Sequence, residues 1–189
     1  MTNLKYIERF SEVIESIDST QGEKIKAAAK LCAQAINNGN MVHLFGSGHS
    51  VLPIQDMFPR YGGVVGFHPL MDPRLMWSNV IGPGGARELL WIERQEGYIR
   101  NFLQSFTFHE GEVMIVYSHG GLNAAPIEVA MYAKQKGMKV VAITSEDNYK
   151  KAQPIHSSGN KLGDVADIII SNCCPLEDAL VSIPGYPQP

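Results

Sequence analysis

Cysteine is scarce in this chain, and its spacing offers neither a staple nor a metal site. The 189 residues hold three cysteines, Cys32, Cys173 and Cys174. An odd count with one adjacent pair excludes a disulfide framework, and there is no Cys-x-x-Cys to suggest zinc. Adjacent cysteines form only a strained bridge, so Cys173-Cys174 read as packing at the end of a strand. Long apolar runs are missing too. No stretch reaches the ~18 apolar residues of a membrane helix, and Met1 to Tyr6 lacks the apolar core of a signal peptide. These absences predict a reducing cytoplasm and no membrane partner. The formal net charge of −3 leaves no basic footprint for nucleic acid. Repeats and low-complexity segments are absent, as is any His/Asp/Glu cluster with metal-ligand spacing. Neither metal nor cofactor is expected.

What is present is an ordinary globular composition, 44% hydrophobic and 19% charged. One domain over residues 1–189 is the simplest reading, burying roughly 70% of the unfolded chain's surface. Residues 1–38 read as a pair of helices. Leu4, Ile7, Phe10, Ile14 and Ile17 recur at helical spacing over 3–18, and Thr20 with Glu23 makes a capping box that opens a second helix, which ends at Asn37-Asn38-Gly39. Met41 to Phe45 is then a strand buried on both faces. Val64 to Phe67 is a short strand, stopped by His68-Pro69. Residues 70–86 read as a long irregular connection. Arg87 to Phe106 is helical, divided at Gly97. Glu112 to Tyr117, Lys139 to Ile143 and Asp167 to Ile170 are further strands. Helix 124–136, with Pro126 in its first turn and Gly137 after its end, lies between the first two of these. Residues 146–160 form a loop or one short helix. The proline-rich tail holds at most a short helix near Glu177 to Val181.

Strands alternating with helices imply an α/β fold: three layers, α/β/α, around a five-stranded parallel sheet with right-handed crossovers. With the strand order 2-1-3-4-5, ligands bind beyond the carboxyl ends of the first and third strands. Both of those strands run into a polar glycine loop, Gly46-Ser47-Gly48-His49-Ser50 and Ser118-His119-Gly120-Gly121-Leu122-Asn123. Glycines let the backbone turn while leaving amides uncovered, and a helix start adds positive polarity, so each loop is suited to an anion. Ser50 is placed to cap the helix that follows, with Pro53 in its first turn. A dinucleotide fingerprint would need a small residue where Val51 stands, and no Gly-Lys-Ser/Thr makes a Walker loop. What fits is a small phosphate site. The side chains of Ser47, Ser50, Ser118 and Asn123 would bind it, with amides from 48–50 and 119–122, at roughly 1.5–3 kcal/mol per bond to a charged acceptor.

These paired loops resemble the SIS (sugar isomerase) domain family, whose pattern is Gly-x-Gly-x-Ser after the first strand and Ser-x-Ser-Gly-x-Thr/Asn after the third. The similarity extends to Val140-Val-Ala-Ile-Thr144 and Leu162-x-x-x-Ala166-Asp167, over about residues 25 to 172. It is nearest to bacterial members labelled phosphoheptose isomerase. The resemblance implies phosphosugar binding, with Ser50, Ser118 and Asn123 on phosphate-binding positions and Gly120 where the family usually has a second serine. It implies aldose–ketose isomerisation, with a glutamate and often a histidine moving protons. Glu88, at a helix start after the glycine-rich loop, is the first choice of base, and Glu93, Glu96 and Glu128 are the alternatives. His49 and His119 lie inside the two loops, whereas His43 reads as a satisfied core residue and His68, His109 and His156 as exposed loop residues. The resemblance also implies a homodimer or homotetramer. It further implies a helix after the fifth strand, so the chain reads as shortened at its carboxyl end. A non-catalytic phosphosugar sensor is the alternative function.

Overall fold

The computed structural model describes residues 4–58, 60–77, 85–176 and 178–186. The chain opens with one helix, α1 (Lys5–Asn37), 33 residues long, where the local signals predict two. The Thr20 hydroxyl donates to the Ser16 carbonyl at 2.6 Å, inside the helix, instead of capping a new one. The next residue holds the helix to the sheet. Gln21 is 3% exposed, and its side-chain carbonyl accepts the Ser171 amide at 3.0 Å.

The strands are β1 (Val42–Gly46), β2 (Phe67–Leu70), β3 (Val113–Tyr117), β4 (Lys139–Thr144) and β5 (Ile168–Ser171), all parallel and ordered β2-β1-β3-β4-β5. The second strand lies three residues later than its apolar pattern predicts. Val64 and Val65 are exposed at 59% and 88%, and the ladder runs through His68-Pro69. Proline is tolerated because β2 is an edge strand, where a missing amide donor leaves no neighbour unpaired.

Alternate strand residues enter different cores, as the two-residue period of a strand requires. Val42, Leu44, Val113, Ile115 and Val141 pack against Ala28, Cys32 and Ala35 of α1 and Ile54 of α2 (Leu52–Met57). Phe45, Met114, Val116, Val140 and Ala142 pack on the opposite face. Their partners there come from α3 (Gly85–Ile92), α4 (Tyr98–Leu103) and α5 (Ala124–Gln135). Gly97, in the left-handed conformation at φ 86°, separates α3 from α4 where the sequence places the break. Two short helices, α6 (Glu146–Lys151) and α7 (Leu162–Val165), flank the loop before β5.

Two further expectations meet the structure only in part. Residues 78–84 of the long connection lie outside the described residues; before them, Pro73–Leu75 forms a 3-10 turn. In the tail, Glu177 also lies outside them, and Asp178 to Val181 are not helical.

Candidate functional site

Gly46 and Tyr117 are partners in the β1–β3 ladder, so both glycine loops leave the sheet side by side. The first loop needs its glycines for two reasons. A Cβ on Gly46 would stand 2.2 Å from the Ser50 carbonyl oxygen, and Gly48 has φ +60°. Ser50 is not a helix cap. It lies within a 3-10 turn (His49–Val51) that begins after Gly48 and makes no side-chain cap. Two of the three amides expected to face an anion are already committed: Gly48 donates to the Leu75 carbonyl at 2.7 Å and Ser50 to the Ser47 carbonyl at 3.1 Å.

The second loop is held by its own serine and by β4. The Ser118 hydroxyl oxygen accepts the Gly121 amide at 3.1 Å, which leaves its proton free to donate outward. Gly121 has φ +62°, and a Cβ there would meet the Thr144 hydroxyl at 3.0 Å. The His119 carbonyl accepts both the Ser145 amide and the Thr144 hydroxyl, each at 3.0 Å. The amides of His119 and Gly120 take no partner among the described residues.

Ser50, Ser118, His49, His119, Tyr117 and Asn172 line one cavity of about 440 Å³. Tyr6 and Phe10 of α1 reach its wall, and Cys174 and Asp178 close it from the tail. The two histidines differ. His49 is exposed and lies against the Trp77 ring at 4.3 Å between centroids, with no hydrogen bond among the described residues to fix its ring nitrogens. His119 is held at both nitrogens. Asn172 Nδ2 stands 3.0 Å from Nδ1 and the Leu176 carbonyl 3.1 Å from Nε2. Since a carbonyl can only accept, Nε2 carries the proton and Nδ1 accepts from the amide.

Ser47 and Asn123 turn away from this cavity. The Ser47 hydroxyl donates to Glu93 Oε2 at 2.9 Å, and Asn123 Nδ2 donates to Glu93 Oε1 at 2.8 Å. The Ala125 amide donates to the Glu93 carbonyl at 3.0 Å, so one residue ties both loops and the start of α5 together. Glu93 is 6% exposed. Burial pushes its carboxyl above the usual range, with the Ser47 hydrogen bond opposing. The other carboxylates are placed elsewhere. Glu88, the first choice from sequence, is exposed on α3 with no bond to either loop among the described residues. Glu96 is exposed and accepts from Ser157, and Glu128 accepts the Gly97 amide at 2.6 Å.

Sequence reasoning overlooked the contributions of Thr144, Asn172 and Cys174. Thr144 sits at the carboxyl end of β4, the strand paired with β3. Asn172 and Cys174 follow β5 and carry no local pattern. His43 is buried as expected, with Nε2 3.0 Å from Glu112 Oε2 and Nδ1 2.9 Å from His68 Nδ1. His68 and His156 are not exposed loop residues: His68 lies half-buried within β2, and the His156 side chain is 6% exposed. No group of three or more His, Cys, Asp or Glu among the described residues can hold a metal ion.

A family profile described as "SIS domain" matches residues 5–145. The chain belongs to the SIS domain family. A UPF0309 protein of Caldanaerobacter subterraneus is 40% identical to this SIS domain over 179 residues, covering 94% of the chain and 71% of the relative. Another, from Thermoanaerobacter pseudethanolicus, is 37% identical over 182 residues, covering 95% and 72%. Among solved structures, the phosphoheptose isomerase of Neisseria gonorrhoeae shares the fold. Its TM-score is 0.63 at 18% identity, covering 90% of this chain and 86% of that one. A phosphoheptose isomerase from Francisella tularensis gives 0.60 at 18% identity, covering 90% and 85%.

Proposed function

We propose that this SIS domain binds a phosphosugar in the cavity between its two glycine loops and interconverts an aldose phosphate with the corresponding ketose phosphate. The observation that carries the reading is the shared cavity. Ser50 from one loop and Ser118 from the other line it, where adjacent parallel strands end. The Ser118 hydroxyl keeps a proton to donate, and the amides of His119 and Gly120 stand beside it. Hydrogen bonds to a charged acceptor of roughly 1.5–3 kcal/mol each hold a phosphate without a lysine. Isomerisation requires a group that takes the proton from C2 of the sugar and returns it at C1. His49 is the residue we assign to it, because its imidazole borders the cavity with its nitrogens unconstrained. Glu93 is a positioning residue: it fixes the loops through Ser47 and Asn123.

We further propose a homo-oligomer. Tyr6, Ile7, Phe10 and Ile14 expose an apolar stripe on α1, at 45–57% each, next to the cavity that Tyr6 and Phe10 help to line. A second copy packed there would complete the wall of the site. No helix among the described residues is long and apolar enough to cross a membrane, and we assign the protein to the cytoplasm.

The other reading, a phosphosugar sensor without chemistry, is favoured by the engagement of both Glu93 oxygens and both His119 nitrogens. Deuterium exchange decides between them. Incubation with six- and seven-carbon ketose phosphates in deuterated water, followed by proton NMR, shows loss of a C1 proton signal if the protein is an isomerase. Thermal stabilisation by those sugars without exchange supports the sensor. Neither stabilisation nor exchange overturns both.

A further inference from the structure

Tyr117 ends β3 and borders the loop cavity, half-buried, yet its hydroxyl makes no hydrogen bond among the described residues. A buried tyrosine ordinarily finds a partner for that group. The described side-chain atoms that lack both a partner and contact with solvent belong to Glu128 and His156, so the Tyr117 oxygen is open to a water-sized molecule. Its place in the sheet fixes what it opens onto. Gly46 and Ile143 flank Tyr117 in the ladder, and paired residues of neighbouring strands point to one face. A Cβ on Gly46 would stand 2.2 Å from the Ser50 carbonyl oxygen, so the first loop folds over that same face, beside Tyr117. Gly46 itself puts no side chain between the ring and the loop. Ile143 and, from α1, Phe10 and Val13 add an apolar wall.

These surroundings keep the phenol protonated. Burial pushes its pKa up to about 12, and the Cys32 thiol adds to the rise. No lysine or arginine is among the described residues that line the cavity. Isomerisation places negative charge on the sugar's carbonyl oxygen as the neighbouring carbon gives up its proton, and that charge needs a donor. The Ser118 hydroxyl and the second-loop amides face the phosphate in the proposed binding mode. Both ring nitrogens of His119 are engaged. Tyr117 is left: a neutral donor set in an apolar wall, where a hydrogen bond to a growing charge is stronger than in water.

We propose that the Tyr117 hydroxyl donates a hydrogen bond to the carbonyl oxygen of the bound sugar phosphate and stabilises the charge that this oxygen gains in the enediolate. The inference rests on the loop cavity being the sugar-phosphate site. From the ketose, the C1 proton goes to His49, the C–H electron pair becomes the C1–C2 double bond, and the carbonyl pair moves onto oxygen. Tyr117 keeps its proton throughout. The test compares wild type with Y117F, which removes one unpaired atom and should leave Tm within about 1 °C. With six- and seven-carbon ketose phosphates in deuterated water, exchange at C1 should slow about a hundredfold or more, while affinity for the same sugars changes less than about threefold. Arabinonohydroxamate 5-phosphate imitates the planar, partly negative enediolate and should bind Y117F at least about tenfold more weakly. Sorbitol 6-phosphate, which has no carbonyl, should bind both proteins equally. Unchanged exchange in Y117F overturns the proposal, as does an equal loss of affinity for every sugar or a Tm several degrees lower, which would mean a structural hydroxyl. Wild-type binding without exchange overturns it too. A wild-type protein that binds none of these phosphates refutes the phosphosugar reading itself; one that exchanges them at the rate of Y117F refutes only the role of Tyr117.

Discussion

Replacing Glu93 with alanine removes the carboxylate to which both glycine loops are tied. Two hydrogen bonds to a charged group are lost, from Ser47 at 2.9 Å and Asn123 at 2.8 Å, and both donors are left without an acceptor. At roughly 1.5–3 kcal/mol per bond the gross loss is about 3–6 kcal/mol. Part is returned, because the variant no longer buries an ionisable group that is 6% exposed. The net cost is about 2–4 kcal/mol, the range of the larger single-site effects. For a chain of this size about 2–4 °C of Tm accompanies each kcal/mol, so E93A should melt roughly 4–16 °C below wild type. E93Q keeps the size and one acceptor, and should lose about half as much. Urea denaturation gives the free energies, and sugar-phosphate titration of the same samples gives the affinity, which falls in E93A because the loops are no longer held in register. The pH dependence has a definite sign. Burial raises the folded-state pKa above the ordinary 4.5, so the stability linked to Glu93 is full below 4.5 and is lost as pH rises through the folded value; E93Q abolishes that slope. An E93A protein within about 0.5 kcal/mol of wild type, with unchanged affinity, refutes the positioning role. So does an E93Q protein with native stability and binding but no turnover, which would make Glu93 the base.

Other consequences follow from single contacts. Burial lowers the His43 pKa below the ordinary 6.5, against the raising effect of Glu112, so its contribution to stability is complete above 6.5 and is lost as pH falls through the folded value. H43Q should flatten the acid side of the stability profile, measured by urea denaturation between about pH 5 and pH 7.5 at a limiting slope near 1.4 kcal/mol per unit. S118A removes one bond to the phosphate and should weaken sugar-phosphate binding about tenfold to a hundredfold by calorimetry; it also removes the acceptor of the Gly121 amide, worth about 1 kcal/mol, so Tm should fall by about 2–4 °C. G46A places a Cβ 2.2 Å from the Ser50 carbonyl, a backbone atom that cannot yield cheaply. It should destabilise the fold by about 1–3 kcal/mol and abolish ligand-induced thermal shifts.

Much of this architecture was legible in the residues themselves. Val113 to Val116 and Val140 to Ala142 are continuous apolar runs, as strands covered on both faces must be, and the glycine loops mark the two strand ends that stand together. The errors came where tertiary contacts overruled local signals. Thr20 and Glu23 spell a capping box, yet Gln21 docks on β5 and the helix runs through. Val64 and Val65 look like strand residues but are exposed, and pairing starts at Phe67, opposite Val42. Within the site, loop position said which residues were near the ligand but not which way they faced. Ser47 and Ser50 are both loop serines; only the buried Glu93, in the turn just after α3 and far away in sequence, turns Ser47 inward and leaves Ser50 on the cavity. His156 shows the same gap, since nothing in Pro154-Ile-His-Ser-Ser announces a buried imidazole.

A crystal structure with a ketose phosphate bound tests the grip of the two loops most directly. The phosphorus should lie between the glycine loops, with its oxygens accepting hydrogen bonds from both the Ser50 and Ser118 hydroxyls and from an amide of the second loop. A phosphate held elsewhere, or touching one loop while the other serine faces solvent, would contradict a shared anion site.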